Sequence, residues 1–325
     1  MKLLNVPIID LEPFRIGSEE NKQQVAEAVD KACRDIGFLV IKGHGISTKL
    51  LSETRQVSQD FFDLPLSEKK KVSRPSMDVA RGYIGIDEES LARSRDPNAT
   101  GSDLNESFMI GPVNIPDPKY AKNAGKHFSP NIWPKEPSNL KKIWVNYYQE
   151  MGNLASLLMR VFAMALKLPE NHFDTLIDKH ISRLRVRNYP QQLHTPIPGQ
   201  IRAGAHSDYG SLTILATEDK LGGLQVCNAE GEWVDVPIIP DCFIINIGDL
   251  LARWTNDTWV STLHRVVNPP SNSGPETRRQ SLVFFHNPNF DAMISNLIPN
   301  TVSKYPTTTS GEHLLSLYTK TQNKL

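Results

Sequence analysis

Three side chains in the second half of the sequence are suited to hold a metal ion. His206 and Asp208 lie two positions apart in the stretch AHSDYG, and residues at that spacing on a β-strand project from the same face. His264, in STLHRVV, follows after several short strand-like segments, which could return it to the same face. Two imidazoles and one carboxylate would bind a divalent cation and leave coordination positions open for reactants.

This ligand set is compatible with more than one metal. Non-haem Fe(II) is held by two histidines and one carboxylate in many proteins, and a catalytic zinc also uses three protein ligands and one open position. The simplest alternative for His206 and Asp208 is a hydrogen-bonded pair without a metal. The three residues alone do not decide between these interpretations.

A second group of polar residues could bind a carboxylate. Arg279 and Ser281, in RRQSLVFF, share one face of a predicted strand, and Tyr189 ends another, RLRVRNY. A planar guanidinium can donate two parallel hydrogen bonds to a carboxylate. An arginine inside a barrel needs a negative partner, which would be either an acidic side chain of the protein or a bound ligand.

The elements that must position these residues change character near residue 181. Upstream of it, short apolar runs predict strands at 6–11 and 37–46, and apolar residues at helical spacing predict several helices. These helices are expected over 20–36, 48–64 and 138–168. Downstream, short strand-like runs alternate with turn signals, which is typical of a β-sandwich or barrel.

We expect a single domain over residues 1–325. A helical and strand region, 1–180, precedes the β core at 181–290, and a helical segment follows at 291–325. The stretch 74–106 is polar, weakly periodic and punctuated by glycine and proline. A loop of this length is usually functional, so we predict that it forms a lid over the site.

The order H-x-D, distal histidine, then R-x-S resembles the 2-oxoglutarate- and Fe(II)-dependent dioxygenases, within their isopenicillin N synthase-like branch. Other stretches resemble landmarks of this family in the family's order. They are GFLVIKGHGI, FFDLPLSEKKK, ESFMIG, NIWP, GGLQV, NIGDLLARWTND and STLHRVV. The resemblance extends over nearly the whole chain, from about residue 5 to residue 290.

The resemblance implies a mainly β fold with flanking helices, built on a double-stranded β-helix, the jelly roll of cupin-like proteins. It implies that His206, Asp208 and His264 bind Fe(II). It further implies that 2-oxoglutarate places its distal carboxylate on Arg279 and Ser281, with Tyr189 assisting. Dioxygen would be the co-oxidant, succinate and CO2 the products, and ascorbate an activator in vitro.

The implied substrate is a small metabolite of biosynthesis or secondary metabolism, which would be hydroxylated, desaturated or oxidatively cyclised. A near alternative is an oxidase of the isopenicillin N synthase type, which does not use 2-oxoglutarate. Two further alternatives are a zinc hydrolase and a non-catalytic β-barrel binding protein. The hydrolase is disfavoured because the sequence lacks an H-E-x-x-H motif, and the binding protein would leave the ligand set without a role.

Three further residues are candidates for substrate binding. Arg187 stands where many plant members of the family have asparagine, and it shares a strand face with Tyr189. If Arg187 faces the cavity, it favours a carboxylate-bearing, amino-acid-derived substrate; the alternative is an ion pair with an acidic residue of the protein. Phe285 should share the face of Arg279, and Tyr83 could reach the cavity from the predicted lid.

The composition argues against some partners. Lysine plus arginine and aspartate plus glutamate both number 36, so the formal net charge is zero and neither nucleic acid nor a membrane surface is expected as a partner. Three cysteines without a C-x-x-C pair fit a reducing compartment. We expect a cytoplasmic monomer, with the C-terminal NKL as a weak indication of a peroxisomal address.

Overall fold

The computed structural model describes residues 6–86, 88–91, 102–192, 196–197, 199–218, 222–270 and 277–322. The helices of the described part are α1 Glu12–Ile16, α2 Glu19–Asp35, α3 Thr48–Phe62, α4 Leu66–Lys70, α5 Pro118–Asn123, α6 Leu140–Ala165, α7 Asp174–Ile177, α8 Asp249–Trp254 and α9 Ser310–Gln322. Helices α2, α3 and α6 therefore lie where the apolar spacing predicts them, and α9 lies within the helical segment expected at 291–325.

Most strands of the described part come from the second half of the chain. They are β1 Ile8–Asp10, β2 Phe38–Lys42, β3 Gly82–Ile84, β4 Glu106–Ile110, β5 Arg183–Tyr189, β6 Ala203–His206, β7 Leu212–Thr217, β8 Leu224–Cys227, β9 Trp233–Asp235, β10 Phe243–Ile247, β11 His264–Val266, β12 Arg279–His286, β13 Met293–Ile294 and β14 Thr308–Thr309.

Eight of these strands form one large sheet in the order β1-β2-β10-β7-β12-β5-β4-β3. The β1–β2 pair is parallel, and the other pairs are antiparallel. Strands from the N-terminal region lie at both ends of this sheet, because β2 bonds to β10 and β4 bonds to β5. The region upstream of residue 181 thus continues the sheet that the downstream region builds.

A smaller sheet of four antiparallel strands, β6-β11-β8-β9, contributes to the other wall of the barrel. A separate apolar cluster combines side chains from both sheets, including Phe38, Val40, Ala203, Val226 and Val266. Together with the helices outside, this architecture confirms the predicted mainly β fold with a jelly-roll core.

The outer face of the large sheet is covered by helices. Helix α6 buries Trp144, Met151, Leu158 and Phe162, which recur at helical spacing and join the main core cluster with α2, α3 and the sheet. Fully burying such a side chain contributes about 1.5–3 kcal/mol. This packing holds the sheet on its outer face, so the inner face can carry polar residues.

The structure differs from the predicted organisation in two places. Within the stretch 74–106, residues Gly82–Ile84 form β3 and pair with β4, so this part is a strand of the large sheet rather than a loop. Residue 87 and residues 92–101 of the stretch lie outside the described part. The stretch after residue 290 carries the short β13–β14 pair before α9, because residues 293–294 bond to residues 308–309.

No helix in the part of the chain that the structure describes combines the length and the apolar character needed to cross a membrane.

Candidate active site

His206, Asp208 and His264 converge inside the barrel. Each offers one donor atom, and the three atoms lie within 4.8 Å of one another. Asp208 Oδ1 is 3.8 Å from His206 Nε2 and 3.7 Å from His264 Nε2. The two histidines are cross-strand neighbours on β6 and β11. The expectation that His206 and Asp208 share one strand is wrong in detail, because β6 ends at His206 and Asp208 lies in the turn that follows.

Both imidazole rings are held through Nδ1, the ring nitrogen that does not face Asp208. His206 Nδ1 lies 2.7 Å from the carbonyl oxygen of Gly204, and His264 Nδ1 lies 3.1 Å from that of Thr262. A carbonyl can only accept, so each Nδ1 carries the proton and each Nε2 presents its lone pair. Histidines that bind a metal are commonly oriented in this way.

The Asp208 carboxylate is oriented by two hydrogen bonds from neighbouring strands. Thr213 Oγ1 on β7 and Asn246 Nδ2 on β10 both donate to Oδ2, at 2.6 and 2.7 Å. Oδ2 is thereby occupied, and Oδ1 faces the two histidines. The donor set, its orientation and its burial fit a first-row divalent metal.

The protonation states also suit a metal. Burial opposes ionisation of Asp208, but His264, His206 and the two hydrogen bonds outweigh it, so the pKa of Asp208 is lowered. Burial, reinforced by the neighbouring His264, lowers the pKa of His206. At neutral pH Asp208 is therefore a carboxylate and His206 is neutral, which are the forms that coordinate metals.

A narrow cavity of about 60 Å³ leads from the three donors to the predicted carboxylate-binding group. Arg279 and Ser281 on β12 and Tyr189 on β5 line it, and Arg279 is the cross-strand partner of Tyr189. The Arg279 guanidinium carbon lies 4.6 Å from the centre of the Tyr189 ring, and Arg279 Nη1 donates to the carbonyl of Gly222. The structure thus brings all six of these predicted residues to one cavity.

Arg279 lacks a charge partner within the described residues. Its side chain is buried, its Nε has no hydrogen-bond acceptor, and none of the described carboxylates lies within ion-pairing distance. Since a buried cation requires compensation, the cavity is suited to a ligand that brings a negative charge.

Two family models match the chain. Residues 6–136 match the model described as non-haem dioxygenase in morphine synthesis N-terminal, and residues 180–288 match that of the 2OG-Fe(II) oxygenase superfamily. A protein of Oryza sativa subsp. japonica named homoarginine-6-hydroxylase is 34% identical, over 95% of this chain and 95% of its own length. The chain belongs to the 2OG-Fe(II) oxygenase superfamily. This finding confirms the resemblance that the motifs indicate.

A further relative of the oxygenase and a similar solved structure support this family assignment. Validamycin A dioxygenase of Streptomyces hygroscopicus subsp. limoneus is 32% identical, over 89% of this chain and 77% of its own. The crystal structure of a full-length Neurospora crassa protein in complex with alpha-KG and thymine superposes with a TM-score of 0.86 at 31% identity, covering 100% of this chain and 98% of that chain. The oxygenase uses Fe(II), 2-oxoglutarate and O2, so the oxidase, zinc hydrolase and binding-protein alternatives are set aside.

A second, larger cavity of about 200 Å³ adjoins the metal-binding residues of the oxygenase. His206, Asp208, Phe285 and Arg187 belong to its lining. Part of the stretch predicted as a lid also lines it, through residues 88–91 and residues 77, 79 and 80. The volume is below that of drug-sized ligand sites, which suits a small metabolite.

Arg187 faces both cavities, as its alternation with Tyr189 predicts, but its charge is not free. Arg187 Nη1 donates to Asn105 Oδ1 at 3.0 Å and lies 3.7 Å from Glu89 Oε2. Arg187 therefore lines the cavity and also lies beside an acidic residue of the protein, and its role in substrate binding stays a prediction.

Phe285 and Tyr83 differ in their positions. Phe285 lines both cavities, whereas Tyr83 belongs to the main hydrophobic core and packs against Phe61. The Tyr83 hydroxyl donates to Glu106 Oε2 at 2.6 Å. The structure does not bring Tyr83 to the cavity, because β3 directs the ring toward α3.

Some residues of the site are not among those predicted from the sequence. In the run RLRVRNY the alternation that places Arg187 on the Tyr189 face also places Arg183 and Arg185 there, so a sequence signal exists for both. Glu89, Thr213 and Asn246 carry no such signal, because their contacts depend on segments that meet only in the folded chain.

Proposed function

We propose that the oxygenase hydroxylates a small metabolite that carries a carboxylate, with Fe(II) held by His206, Asp208 and His264. The convergence of these three oriented donors, at the junction of two cavities, is the observation that carries the assignment. Bound Fe(II) supplies the activation of O2. The chain's own residues bind, orient and enclose the reactants.

In this proposal 2-oxoglutarate occupies the narrow cavity and directs its distal carboxylate to Arg279 and Ser281, with Tyr189 alongside. The support is the buried charge of Arg279, which no acidic side chain among the described residues compensates. Ser281 and Tyr189 add hydroxyl groups on the same wall. An arginine–carboxylate pair inside a dry cavity is stronger than in water, because the local dielectric constant is low.

The substrate occupies the larger cavity. Its lining contains four arginines, Arg74, Arg183, Arg185 and Arg187, against two glutamates, Glu88 and Glu89, apart from the metal-binding Asp208. This surplus of positive charge favours a substrate that presents a negatively charged group, such as a carboxylate, to this wall. The rice relative is named for homoarginine, an amino acid with a carboxylate, and its name favours hydroxylation over desaturation or ring closure.

Succinate formation tests the proposal. Purified protein is supplied with Fe(II), ascorbate, O2 and 2-oxoglutarate, and L-homoarginine and other amino acids are added one at a time. We expect one class of amino acid to stimulate succinate and to gain one oxygen atom in equal amount. Asp208→Ala should abolish both signals, and the exposed Asp60→Ala should retain them. The primary amides of the same amino acids are added as matched compounds without the carboxylate. A product lacking two hydrogens, or stimulation by the amides alone, would contradict the proposed reaction or substrate class.

A further inference from the structure

Three arginines project from β5 toward the larger cavity, and their charges are compensated unequally. Arg183, Arg185 and Arg187 alternate with apolar residues, so they share one face. Glu89 lies against Arg185 and Arg187. Its carboxylate accepts hydrogen bonds from Arg185 Nη1 and Nη2 at 3.2 and 2.5 Å, and it is 3.7 Å from Arg187 Nη1. The buried carboxyl of Asp103 lies near both of them. Two carboxyl groups therefore face two guanidinium groups.

Arg183 has no such partner. Its side chain is nine-tenths buried and lines the cavity. Its Nη1 donates to the hydroxyl of Tyr318 on α9 at 2.5 Å, and its guanidinium carbon lies 4.8 Å from the centre of the Tyr318 ring. Among the residues that the structure describes, none offers a carboxylate within ion-pairing distance of Arg183.

A second buried cation adds to this charge. Arg81 is buried, and its nitrogens donate to the backbone carbonyls of Ala80, His127 and Ser129. Burial, together with the charge of nearby Arg183, lowers the pKa of Arg81 to about 10. Arg81 remains charged at neutral pH, so its charge adds to that of Arg183, and of the two only Arg183 lines the cavity.

We propose that Arg183 binds a carboxylate of the substrate on the wall that β5 forms with α9. An anion there would compensate the only cavity arginine on β5 that lacks an acidic neighbour among the described residues. This inference rests on the proposed function and deepens it, since it moves the expected anion contact from Arg187, which Glu89 already neutralises in part, to Arg183.

The register of the sheet places this contact close to the reacting centre. Arg183 is the cross-strand partner of Phe285, and Phe285 is the partner of Thr213, which holds Asp208. Two strand spacings separate Arg183 from Thr213 at the backbone, about 10 Å. A molecule of amino-acid size would span the distance between Arg183 and the metal, with Phe285 as the apolar wall between them.

Binding of matched ligand pairs tests the inference without relying on turnover. L-homoarginine, L-lysine and L-leucine are each compared with their primary amides by equilibrium dialysis against the protein loaded with Mn²⁺ and 2-oxoglutarate under anaerobic conditions. We expect at least one acid to bind about tenfold or more tightly than its amide, because a charge-assisted bond is replaced by a neutral one. Arg183→Gln should abolish this preference, and Arg183→Lys should retain part of it.

The matched control is Arg278→Gln, which removes a part-exposed arginine paired with Asp63 and should keep the full preference. Thermal melting verifies that each variant is folded. If Arg183→Gln does not fold, the reduced preference expected of Arg183→Lys is the test. Equal binding of acids and amides, no binding of either, or a preference that survives in both Arg183 variants overturns the inference. Failure of the proposed function is a separate result: acids bind through Arg183, but no succinate is formed.

Discussion

The carboxylate of Glu89 and the guanidinium of Arg185 form a two-point ion pair on the wall of the larger cavity. Glu89 comes from the loop after β3, and Arg185 is buried in the middle of β5. The pair therefore ties a surface segment to the central sheet across the edge of the cavity. Arg187 lies close enough to share the same carboxylate.

Replacing Glu89 by glutamine should destabilise the protein. Removing one partner of a largely buried pair leaves an uncompensated charge, which costs about 3 kcal/mol. Urea unfolding at neutral pH measures the change in the free energy of unfolding. Glu88→Gln is the matched control, because Glu88 is exposed, and it should change the free energy by less than about 0.5 kcal/mol. Equal effects of the two variants would contradict the prediction.

The same pair predicts a loss of stability in acid. Burial opposes ionisation of Glu89, but Arg185 and Arg187 outweigh it and lower its pKa to about 2. The contribution of this ion pair to the free energy of unfolding is fully present above the pKa of an unfolded glutamate, about 4.3, and is lost as the pH falls toward 2. When urea unfolding is measured between about pH 5 and pH 3, the free energy of unfolding should therefore decline less in Glu89→Gln than in the wild type.

Asn246→Ala should weaken metal binding without removing a ligand. Asn246 and Thr213 both donate to Asp208 Oδ2, and the loss of one bond frees the carboxylate to rotate. Such outer contacts commonly change metal affinity by about 10–100-fold. Calorimetric titration with Mn²⁺ measures the affinity. Asn228→Ala, in the exposed turn after β8, is the control; an Asn246→Ala affinity within twofold of the wild type would count against the proposed role.

Arg279→Gln should weaken 2-oxoglutarate binding by about 10–150-fold, the range expected when a charge-assisted hydrogen bond is lost. The neighbouring Arg278→Gln should have little effect, because Arg278 is bonded to Asp63 and Asn188 outside the cavity. Fluorescence or calorimetric titration of the Mn²⁺-loaded protein with 2-oxoglutarate compares the two. Similar losses in both variants would show that net charge, rather than the Arg279 contact, determines the affinity.

His180 should make the fold sensitive to mild acid. Burial lowers its pKa to about 4, and its Nδ1 has no hydrogen-bond partner among the residues that the structure places. The unfolded state then binds more protons than the folded state between about pH 6.5 and pH 4, so stability is present at higher pH and declines as the pH falls through that window. The decline attributable to His180 between about pH 7 and pH 5 is about 2 kcal/mol.

His180→Phe retains the aromatic contacts with Tyr148 and Phe284 and removes the titrating group. Its urea-unfolding free energy should change less between these two pH values than that of the wild type. If His180→Phe and the wild type decline in parallel, other groups account for the acid sensitivity.

The sequence predicts much of this site because its chemistry is carried by residues with a fixed period. Alternation on strands places Arg279 with Ser281 and Arg187 with Tyr189, and the family motifs bring His264 into the same set. Helical spacing likewise predicts α2, α3 and α6 to within a few residues. These features depend on local geometry, which a linear pattern records.

The contacts that adjust the site could not be predicted in this way. Glu89 reaches Arg185 across a sequence separation of 96 residues, and Asn246 reaches Asp208 across 38. Tyr83 was a candidate to reach the cavity from the predicted lid, but the pairing of β3 with β4 turns it toward the core. In each case the partner is determined by how distant segments pack, which no periodicity encodes.

Strand β5 runs from Arg183 to Tyr189. In the proposed arrangement Tyr189 lies at the cosubstrate end and Arg183 at the substrate end, with pleated backbone between them. The inward-facing positions of such a strand have a fixed spacing. An arginine can be relocated along its inward face only in steps of two residues, about 6.6 Å each. Substrate length in this enzyme should therefore be adjustable in discrete increments, by exchanging which inward position carries the unpaired cation, while the cosubstrate end stays untouched.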